Sequence, residues 1–419
     1  MISIPKGMKD VLPSESYKWQ FVEEEFKTIA EKYGYREIRT PMVEATELFA
    51  RGIGDTTDVV QKEMYSFEKA DRSLTLKPEG TAGVVRAFIE NKLYAEGLPA
   101  KYYYITPCYR YEKMQKGRSR EFHQFGIECF GASGMMADAE VILLAYDVLT
   151  SLGIDDAKLK INSIGCPNCR AEYRKALQDF LRPNLDKFCD TCRSRFDRNP
   201  MRILDCKSSE CKELVKGAPV MLDYLDEECR KDFEELKALL DVYGVPYEVD
   251  TSIVRGLDYY TKTAFEFVSD KLGAQSTVCG GGRYDKLIEQ LGGPDTPGVG
   301  FGMGIERLLL VLEESGAEME ADKACDLLIC GLGEKARIKA LELAKEMREF
   351  GLRVIIDVMD RGLKAQFKYA DRLNVPYVAV IGDDELSKGV VSLRDMNSST
   401  QEEVPENKLL EAVFTGFLK

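Results

Sequence analysis

Two hydrophobic periodicities alternate along the first part of the chain. Residues 14–33 carry apolar side chains at helical spacing, whereas residues 35–44 are predicted to form a strand that Pro41 interrupts. The next predicted elements are a hairpin over residues 64–78 and helices over residues 82–91 and 138–152. Strands and helices are therefore expected to be mixed in this region.

A second hairpin, over residues 101–131, is predicted to surround a cationic loop. Side chains alternate faces along a strand, so Gln124, Gly126 and Glu128 are expected on one face and His123 on the other. Between residues 110 and 124 there are five Lys or Arg and two Glu, a local charge of +3. A polar face under such a loop fits a small anionic ligand that carries phosphate. An exposed hairpin with a solvated turn explains the same pattern.

From residue 161 the pattern changes to a mainly helical segment with cysteines. Two CxxC pairs are separated by nineteen residues and are followed by two more cysteines, in the order Cys166, Cys169, Cys189, Cys192, Cys206 and Cys211. Residues 166–216 have a net charge of +4 and residues 217–250 a net charge of −7. The two CxxC pairs have the spacing of a four-cysteine zinc site. Reduced cysteines that pack in a core are the alternative.

The last part of the chain alternates strands with helices. An acidic segment without apolar periodicity, residues 313–323, precedes it and is predicted to be a linker, with the boundary between the domains placed at residues 319–325. Strands are expected over residues 326–331, 353–358, 377–381 and 390–394, and helices over residues 335–350, 363–373 and 406–417. This alternation predicts a small α/β domain with a largely parallel sheet.

The composition limits the classes of protein to which this chain can belong. The 419 residues have a formal net charge of −13 and 44% hydrophobic residues, without an apolar run of the ~18 residues that a membrane span needs. The first residues lack a signal-peptide pattern, so we expect a cytoplasmic protein, with no membrane partner and with its twelve cysteines reduced or metal-bound. His123 is the single histidine, which excludes metal sites made of several histidines. The acidic balance argues against indiscriminate nucleic-acid binding.

A glycine-rich strand is predicted close to the end of the first region. Gly298, Gly300, Gly302 and Gly304 recur at period two, which leaves one strand face as bare backbone on which a flat purine can lie. The helix that follows would present Arg307 at its start. The glycines do not fall at the positions that the GxGxxG motif of a dinucleotide-binding loop requires. Close packing of helix against strand is the alternative.

Taken together, these stretches resemble the class II aminoacyl-tRNA synthetases. The arginine-bearing hairpin resembles their motif 2, the glycine strand with Arg307 resembles motif 3, and residues 35–44 resemble motif 1, the dimer strand. Residues 255–260 and 280–285 are similar to the two histidine-specific motifs of the histidyl-tRNA synthetase family. The resemblance covers the whole chain, with the motifs in the same order and at similar spacing.

The resemblance implies a fold and a domain order. Residues 1–165 and 247–318 would form an α+β catalytic core built on an antiparallel sheet, and residues 166–246 a mainly helical, cysteine-containing insertion. The linker at residues 319–325 would lead to an α/β anticodon-binding domain at residues 326–419. The family also implies a homodimer.

The resemblance implies roles for individual residues. Arg110 would hold the α-phosphate of ATP and the carboxylate of histidine, and Arg255 would stabilise the charge that develops on the α-phosphate. The implied histidine-binding residues are Glu79, Gly80, Thr81, Arg110, Gln124, Glu128, Arg255, Tyr259 and Tyr260. The implied ATP-binding residues are Arg110, Glu112, Arg118, Gly302 and Arg307. Helix capping explains Glu79 and Thr81 as well, because they follow Pro78 at a strand-to-helix junction.

The implied activity is that of a histidine–tRNA ligase. Its substrates would be L-histidine, ATP with Mg²⁺, and tRNA(His), which is bound at the acceptor stem and the anticodon. One alternative is the regulatory paralogue of ATP phosphoribosyltransferase, which lacks the anticodon domain and tends to lose catalytic positions. Another is a zinc-dependent nucleic-acid-binding module, which leaves the glycine-rich stretches without a role. The shared motifs of the family do not require zinc, so the zinc hypothesis depends on cysteine spacing alone.

Overall fold

The computed structural model describes residues 2–54, 57, 59–204, 206, 208–272, 277–317, 319 and 325–415. The chain forms two compact units, Met1–Met319 and Glu320–Lys419. The strands of the first unit are β1 Arg36–Glu37, β2 Val43–Ala45, β3 Tyr65–Lys69, β4 Arg72–Leu76, β5 Ala100–Tyr109, β6 Glu121–Phe130, β7 Lys158–Ser163, β8 Tyr247–Val249, β9 Thr261–Val268, β10 Thr277–Arg283 and β11 Gly298–Gly304. Its helices are α1 Pro13–Lys32, α2 Thr46–Ile53, α3 Thr81–Glu90, α4 Met135–Ser151, α5 Pro167–Leu181, α6 Asp190–Arg195, α7 Met201–Leu204, α8 Ser209–Leu214, α9 Glu227–Tyr243, α10 Leu287–Gln290 and α11 Ile305–Glu314.

An eight-stranded sheet organises the first unit. Its strand order is β1-β5-β6-β11-β10-β9-β7-β8, with parallel pairs at the two edges and antiparallel pairs between them. The predicted hairpin is β5 and β6, and β11 pairs with the other edge of β6. Glu128 lies opposite Gly300 and Gln124 lies opposite Gly304. The expected antiparallel sheet is therefore present in the six central strands, and the two edge strands pair in parallel.

The prediction of one interrupted strand over residues 35–44 is wrong. β1 and β2 lie on either side of Pro41 and belong to different sheets. β1 pairs in parallel with β5, whereas β2 pairs with β4 in a three-stranded sheet that also contains β3. Proline lacks a backbone N–H and cannot continue a strand ladder, which explains where the pairing changes.

Helices cover one face of the large sheet and leave the other face for a site. Phe125 and Ile127 of β6 are buried against this helical layer, in a core that includes Phe26 of α1, Leu149 of α4 and Leu308 of α11. Gln124 and Glu128 alternate with them and point to the opposite face, as predicted. A second apolar cluster on that side contains the phenol rings of Tyr104, Tyr259 and Tyr284.

The insertion is mainly helical, as expected, and has a small core of its own. Tyr173, Leu177, Phe188 and Ile203 are buried in that core, together with several cysteines. Helix α9 contributes to two cores, because its Cys229 joins the insertion while the side chains of its last turns are buried with α4 in the main core. The predicted boundary at residue 246 therefore stays a prediction.

A buried ion pair ties the sheet to α4. Arg283 and Asp138 are both fully buried, and the Arg283 Nε lies 3.1 Å from each Asp138 carboxylate oxygen. We expect Asp138→Ala to lower the free energy of unfolding by roughly 3–5 kcal/mol, because it removes the fully buried partner of the Arg283 guanidinium and leaves only Asp285, at 3.1 Å, as a counter-charge. Urea denaturation measures the change. The exposed carboxylate of Asp270 is the control, and Asp270→Ala should change stability by less than about 1 kcal/mol; equal losses would contradict the account.

The second unit contains a five-stranded mixed sheet in the order β13-β12-β14-β15-β16. Its strands are β12 Leu327–Gly331, β13 Val354–Ile356, β14 Tyr377–Ile381, β15 Val390–Asp395 and β16 Gln401–Pro405, and its helices are α12 Glu334–Glu349, α13 Leu363–Arg372, α14 Asp383–Lys388 and α15 Leu409–Thr415. The α/β class is confirmed. A largely parallel sheet is wrong, because β15 and β16 pair antiparallel. The polar edge strand β16 and the short α14 had no apolar period and were not predicted.

Two features of the chain complete the fold. Of the predicted linker at residues 319–325, only Met319 and Cys325 lie within the described residues. Among the helices that the structure describes, none combines the length and the apolar character that crossing a membrane requires.

Candidate active site

A cavity of about 1130 Å³ lies over the sheet in the first unit. Residues from the hairpin, from the start of α3, from the segment before β9, from the glycine strand and from the insertion line it. The predicted site residues that line it are Glu79, Thr81, Arg110, Glu112, Arg118, Gln124, Arg255, Tyr259, Tyr260, Gly302 and Arg307. The fold therefore brings together side chains from Glu79 to Arg307, which are far apart in the chain.

Three arginines give one part of the cavity a strong positive charge. Burial lowers the pKa of Arg307 to about 10, and repulsion from Arg118 and Arg110 contributes to the shift. Arg118 is paired with Glu112 at 2.8 Å, and the Arg110 Nε donates to the Pro78 carbonyl at 2.8 Å. Guanidinium groups that repel one another in a half-buried site favour an anion between them.

Arg255 lies on another wall of the same cavity. Its guanidinium contacts Glu266 at 2.6 Å and lies 5.0 Å from the centre of the Tyr260 ring. Burial opposes its charge, but Tyr260 and Glu266 outweigh that effect and raise the pKa of Arg255. Gly280 leaves the space for this side chain, because a Cβ there would lie 2.7 Å from an Arg255 nitrogen. Arg255 is therefore a fixed positive charge whose position depends on its neighbours.

Glu79 and Gln124 meet at the start of α3. Both carboxylate oxygens of Glu79 accept backbone N–H groups of the first turn, from Thr81 and Ala82, at 2.8 Å each. The Gln124 amide oxygen accepts the Gly80 N–H at 3.1 Å. Burial raises the pKa of Glu79, an effect that these hydrogen bonds oppose. The capping interpretation of Glu79 is thus correct, and its carboxylate also faces the cavity.

Glu128 and Gly80 do not line the cavity, although both were predicted to bind substrate. The Glu128 carboxyl is fully buried below the site and accepts hydrogen bonds from the hydroxyls of Tyr104, at 3.1 Å, and Tyr284. Burial raises the pKa of Glu128 to about 8. A neutral carboxyl can donate as well as accept, so Glu128 can fix the orientation of the phenols around it.

The buried Glu128 makes stability depend on pH. Its pKa is 4.5 in the unfolded chain and about 8 in the folded protein. Between pH 4.5 and about 8 the folded state therefore keeps a proton that the unfolded chain has released. The stability that this proton contributes is complete below pH 4.5 and is lost as pH rises towards 8. Glu128→Gln should therefore gain stability relative to the parent protein by a few kcal/mol between pH 5 and about 8. Urea unfolding of both proteins across this range measures the gain, and a constant difference would contradict it.

The glycine strand is not a bare platform, which corrects the prediction. The Glu128 carboxylate occupies the space above Gly300, and the Gln124 amide occupies the space above Gly302. The Tyr104 ring fills the gap at Gly126 in the same way. These glycines make room for polar side chains of the site, so the strand face holds a ligand through them rather than through exposed backbone.

The two CxxC pairs do not meet in the structure. Cys189 and Cys192 cluster with Cys206 and Cys211, whereas Cys166 and Cys169 cluster with Cys229 and Asp226. In each cluster the four potential ligand atoms lie within 4.8 Å of one another. A single site made of Cys166, Cys169, Cys189 and Cys192 is therefore wrong, because the fold separates the pairs.

Several residues of the site were missed by the sequence interpretation. Tyr104 and Tyr284 surround Glu128, and Glu266 holds Arg255. The hairpin register could have identified Tyr104, because it lies opposite Gly126, where the lack of a side chain leaves room for a ring. His123 was assigned to the other strand face, and there it contacts Glu306 at 3.1 Å and the Trp19 ring at 4.9 Å.

Family models match both units of the chain. A model described as histidyl-tRNA synthetase matches residues 7–308, and a model described as anticodon binding domain matches residues 326–414. The second match covers the region in which an α/β domain was predicted. Together the two matches leave few residues of the chain outside them.

Full-length relatives agree with these matches. The chain is 55% identical to the histidine–tRNA ligase of Caldanaerobacter subterraneus subsp. tengcongensis, over 98% of both chains. It is 54% identical to the histidine–tRNA ligase of Clostridium perfringens, over 96% of this chain and 97% of the relative. The crystal structure of apo histidyl-tRNA synthetase from S. aureus is similar over 99% of this chain and 100% of that chain, with 41% identity and a TM-score of 0.84.

Proposed function

The chain belongs to the histidyl-tRNA synthetase family and is a histidine–tRNA ligase, and we propose that the cavity in the first unit is where histidine reacts with ATP. Histidine attacks the α-phosphorus of ATP through its carboxylate, and pyrophosphate leaves. The histidyl group of the adenylate then passes to the 3′ end of tRNA(His). The anticodon binding domain argues against the regulatory paralogue, which lacks one.

The three arginines carry the proposal for ATP. Arg118 and Arg307 hold the outer phosphates, and Arg110 holds the α-phosphate together with the histidine carboxylate. The lowered pKa of Arg307 supports this assignment, because an anion relieves the repulsion that contributes to the shift. Glu112 and Glu266 line the cavity and offer oxygen ligands of the kind that Mg²⁺ prefers, and the ion would screen phosphate charge when bound.

Arg255 stabilises the α-phosphate of ATP during the reaction. Attack on the α-phosphorus needs positioning and cationic stabilisation more than a side-chain nucleophile. Its fixed guanidinium, held by Glu266 and Tyr260, needs little reorganisation as negative charge develops. Arg255 is thus the residue that we assign to the transition state.

Histidine occupies the part of the cavity away from the phosphates. Glu79, Thr81 and Gln124 bind its ammonium group, and the phenols of Tyr259 and Tyr260 contact the imidazole. Glu128 contributes from below, through the hydrogen bonds that orient neighbouring tyrosines. A donor and an acceptor are both needed to recognise a neutral imidazole, and this set supplies both.

A homodimer and a cytoplasmic location belong to the same proposal. β1 ends one edge of the large sheet, and both of its residues are exposed, as an edge strand available to a second copy would be. Sedimentation equilibrium tests the dimer, and a monomer at micromolar concentration would contradict it.

Aminoacylation of a tRNA(His) transcript with labelled histidine tests the function directly. We expect charging that requires both ATP and Mg²⁺. A transcript with a foreign anticodon is the control for the second unit and should be charged more slowly. Absence of charging by folded protein would contradict the ligase assignment.

Arg307→Ala tests the phosphate site. We expect the KM for ATP to rise about 10- to 100-fold, because a charge-assisted contact to phosphate is lost, while the KM for histidine changes little. Steady-state kinetics of adenylate formation measure both constants. Arg51, an exposed arginine on α2, provides the matched control. Equal increases in both KM values would contradict a role limited to the outer phosphates.

A further inference from the structure

The insertion contains two sulfur clusters that the ligase reaction does not use. The first, here called the four-cysteine cluster, consists of Cys189, Cys192, Cys206 and Cys211. The Sγ atoms of Cys189 and Cys206 are 3.9 Å apart. Zinc bonds of about 2.3 Å in a tetrahedron separate the sulfur atoms by about 3.8 Å. The separation of these two sulfur atoms is thus close to the separation expected in a zinc site.

The second, here called the three-cysteine cluster, consists of Cys166, Cys169, Cys229 and Asp226. Cys166 and Cys169 have their Sγ atoms 3.5 Å apart, and the Cys166 thiol lies 3.1 Å from an Asp226 carboxylate oxygen. Three thiols and one carboxylate form a complete set of four ligands. The sulfur separations of 3.5 Å between Cys166 and Cys169 and 3.9 Å between Cys189 and Cys206 are far longer than the ~2.05 Å of a disulfide bond.

We propose that each cluster binds one zinc ion, so that the chain carries two. Sets rich in thiolate select zinc over magnesium or calcium, and four ligands with none left open are typical of a structural site. Binding replaces the thiol protons, which pass to solvent. Cys192 and Cys211 are buried while Cys189 and Cys206 are half-buried, so the four-cysteine cluster has a closed side and an open side for entry of the ion.

Residues between the ligands of the four-cysteine cluster also contact the segment that carries Arg255. Its ligands lie at the start of α6, just after α7 and in α8. Between them, Arg202 of α7 donates to the Arg255 carbonyl at 3.0 Å, and the Asn199 amide donates to Asp258 at 3.0 Å. An ion that ties these helices together would fix Arg202 and thereby the backbone of Arg255. We therefore assign the ion a positioning role.

Metal content is the direct test. Full-length protein is purified under reducing conditions, incubated with zinc chloride and dialysed against metal-free buffer, and zinc is then measured by mass spectrometry. We expect two ions per chain in the parent protein. Cys206→Ser and Cys166→Ser each replace a half-buried ligand, and each should retain one ion.

Cys330→Ser is the matched control, because Cys330 is buried in the second unit and belongs to neither cluster. It should retain two ions. A parent protein without zinc would overturn the proposal, as would disulfides, which appear as missing free thiols in the denatured protein. One ion that only Cys206→Ser removes would overturn the three-cysteine site, and one that only Cys166→Ser removes would overturn the four-cysteine site.

The positioning role has its own readout. Removal of zinc by a chelator should lower kcat for adenylate formation about 10-fold with a smaller change in the KM for histidine, because the backbone of Arg255 loses its fixed position. Cys206→Ser should show the same loss without chelator, and added zinc should restore only the parent protein. An unchanged kcat after complete removal would overturn this role. The metal content decides zinc binding whether or not the ligase assignment holds.

Discussion

Arg255→Ala should lower the rate of histidyl-adenylate formation by about 10²–10³, the loss expected when a preorganised group that stabilises the transition state is removed. The KM for histidine should change far less, because Arg255 is assigned to charge that develops during the reaction. Glu266 keeps a hydrogen bond from Thr277 at 2.8 Å in the variant, so no carboxylate is left without a partner. Single-turnover kinetics with labelled ATP separate the chemical step from binding.

Two control variants sharpen this test. Arg182 is an exposed arginine of the insertion, and Arg182→Ala should leave the rate unchanged. Arg255→Lys keeps the positive charge but loses the planar fork, so it should fall between the parent enzyme and Arg255→Ala. Equal losses in the rate and in histidine affinity for Arg255→Ala would contradict a role in the transition state.

Arg110→Ala should lower kcat/KM for both ATP and histidine, by about 10²–10³ for each, because one guanidinium is assigned to both substrates. The side chain lines the cavity, and its Nε is anchored on the Pro78 carbonyl. This joint loss distinguishes Arg110 from Arg307, for which a change in the KM for ATP alone is expected. Pyrophosphate exchange at varied concentrations of each substrate measures both values.

Arg120 provides the matched control for Arg110 on the same hairpin. Its guanidinium lies 3.6 Å from the centre of the Tyr111 ring, and Arg120 does not line the cavity among the described residues. Arg120→Ala should therefore keep both kcat/KM values within about threefold of the parent enzyme. A loss confined to one substrate in Arg110→Ala would contradict its shared assignment.

Much of the fold could be predicted because local patterns determine it. The β5–β6 hairpin follows from alternation of apolar and polar residues, and the same alternation correctly placed Gln124 and Glu128 on the face opposite Phe125. α1 follows from its helical period. Elements without apolar periodicity were not predicted. One of them is β16, in which Val404 is the single buried residue among five.

The predictions about the site that were wrong concern features that depend on contacts between distant segments of the chain. Whether Glu128 faces a ligand or lies below it depends on Tyr104 of β5 and on Tyr284, which follows β10 directly. The same limit applies to the cysteines. CxxC spacing identifies a pair of neighbouring ligands but not which other residues complete the set, and folding joined Cys166 and Cys169 to α9 instead of to the second pair.

We propose that the cavity of the first unit activates histidine and no other amino acid. ATP–pyrophosphate exchange with each of the twenty amino acids, in the absence of tRNA, tests it most directly. We expect exchange that requires histidine and Mg²⁺, and we expect Arg255→Ala to lower the exchange rate strongly. Exchange with another amino acid, or none at all from folded protein with Mg²⁺, would contradict it.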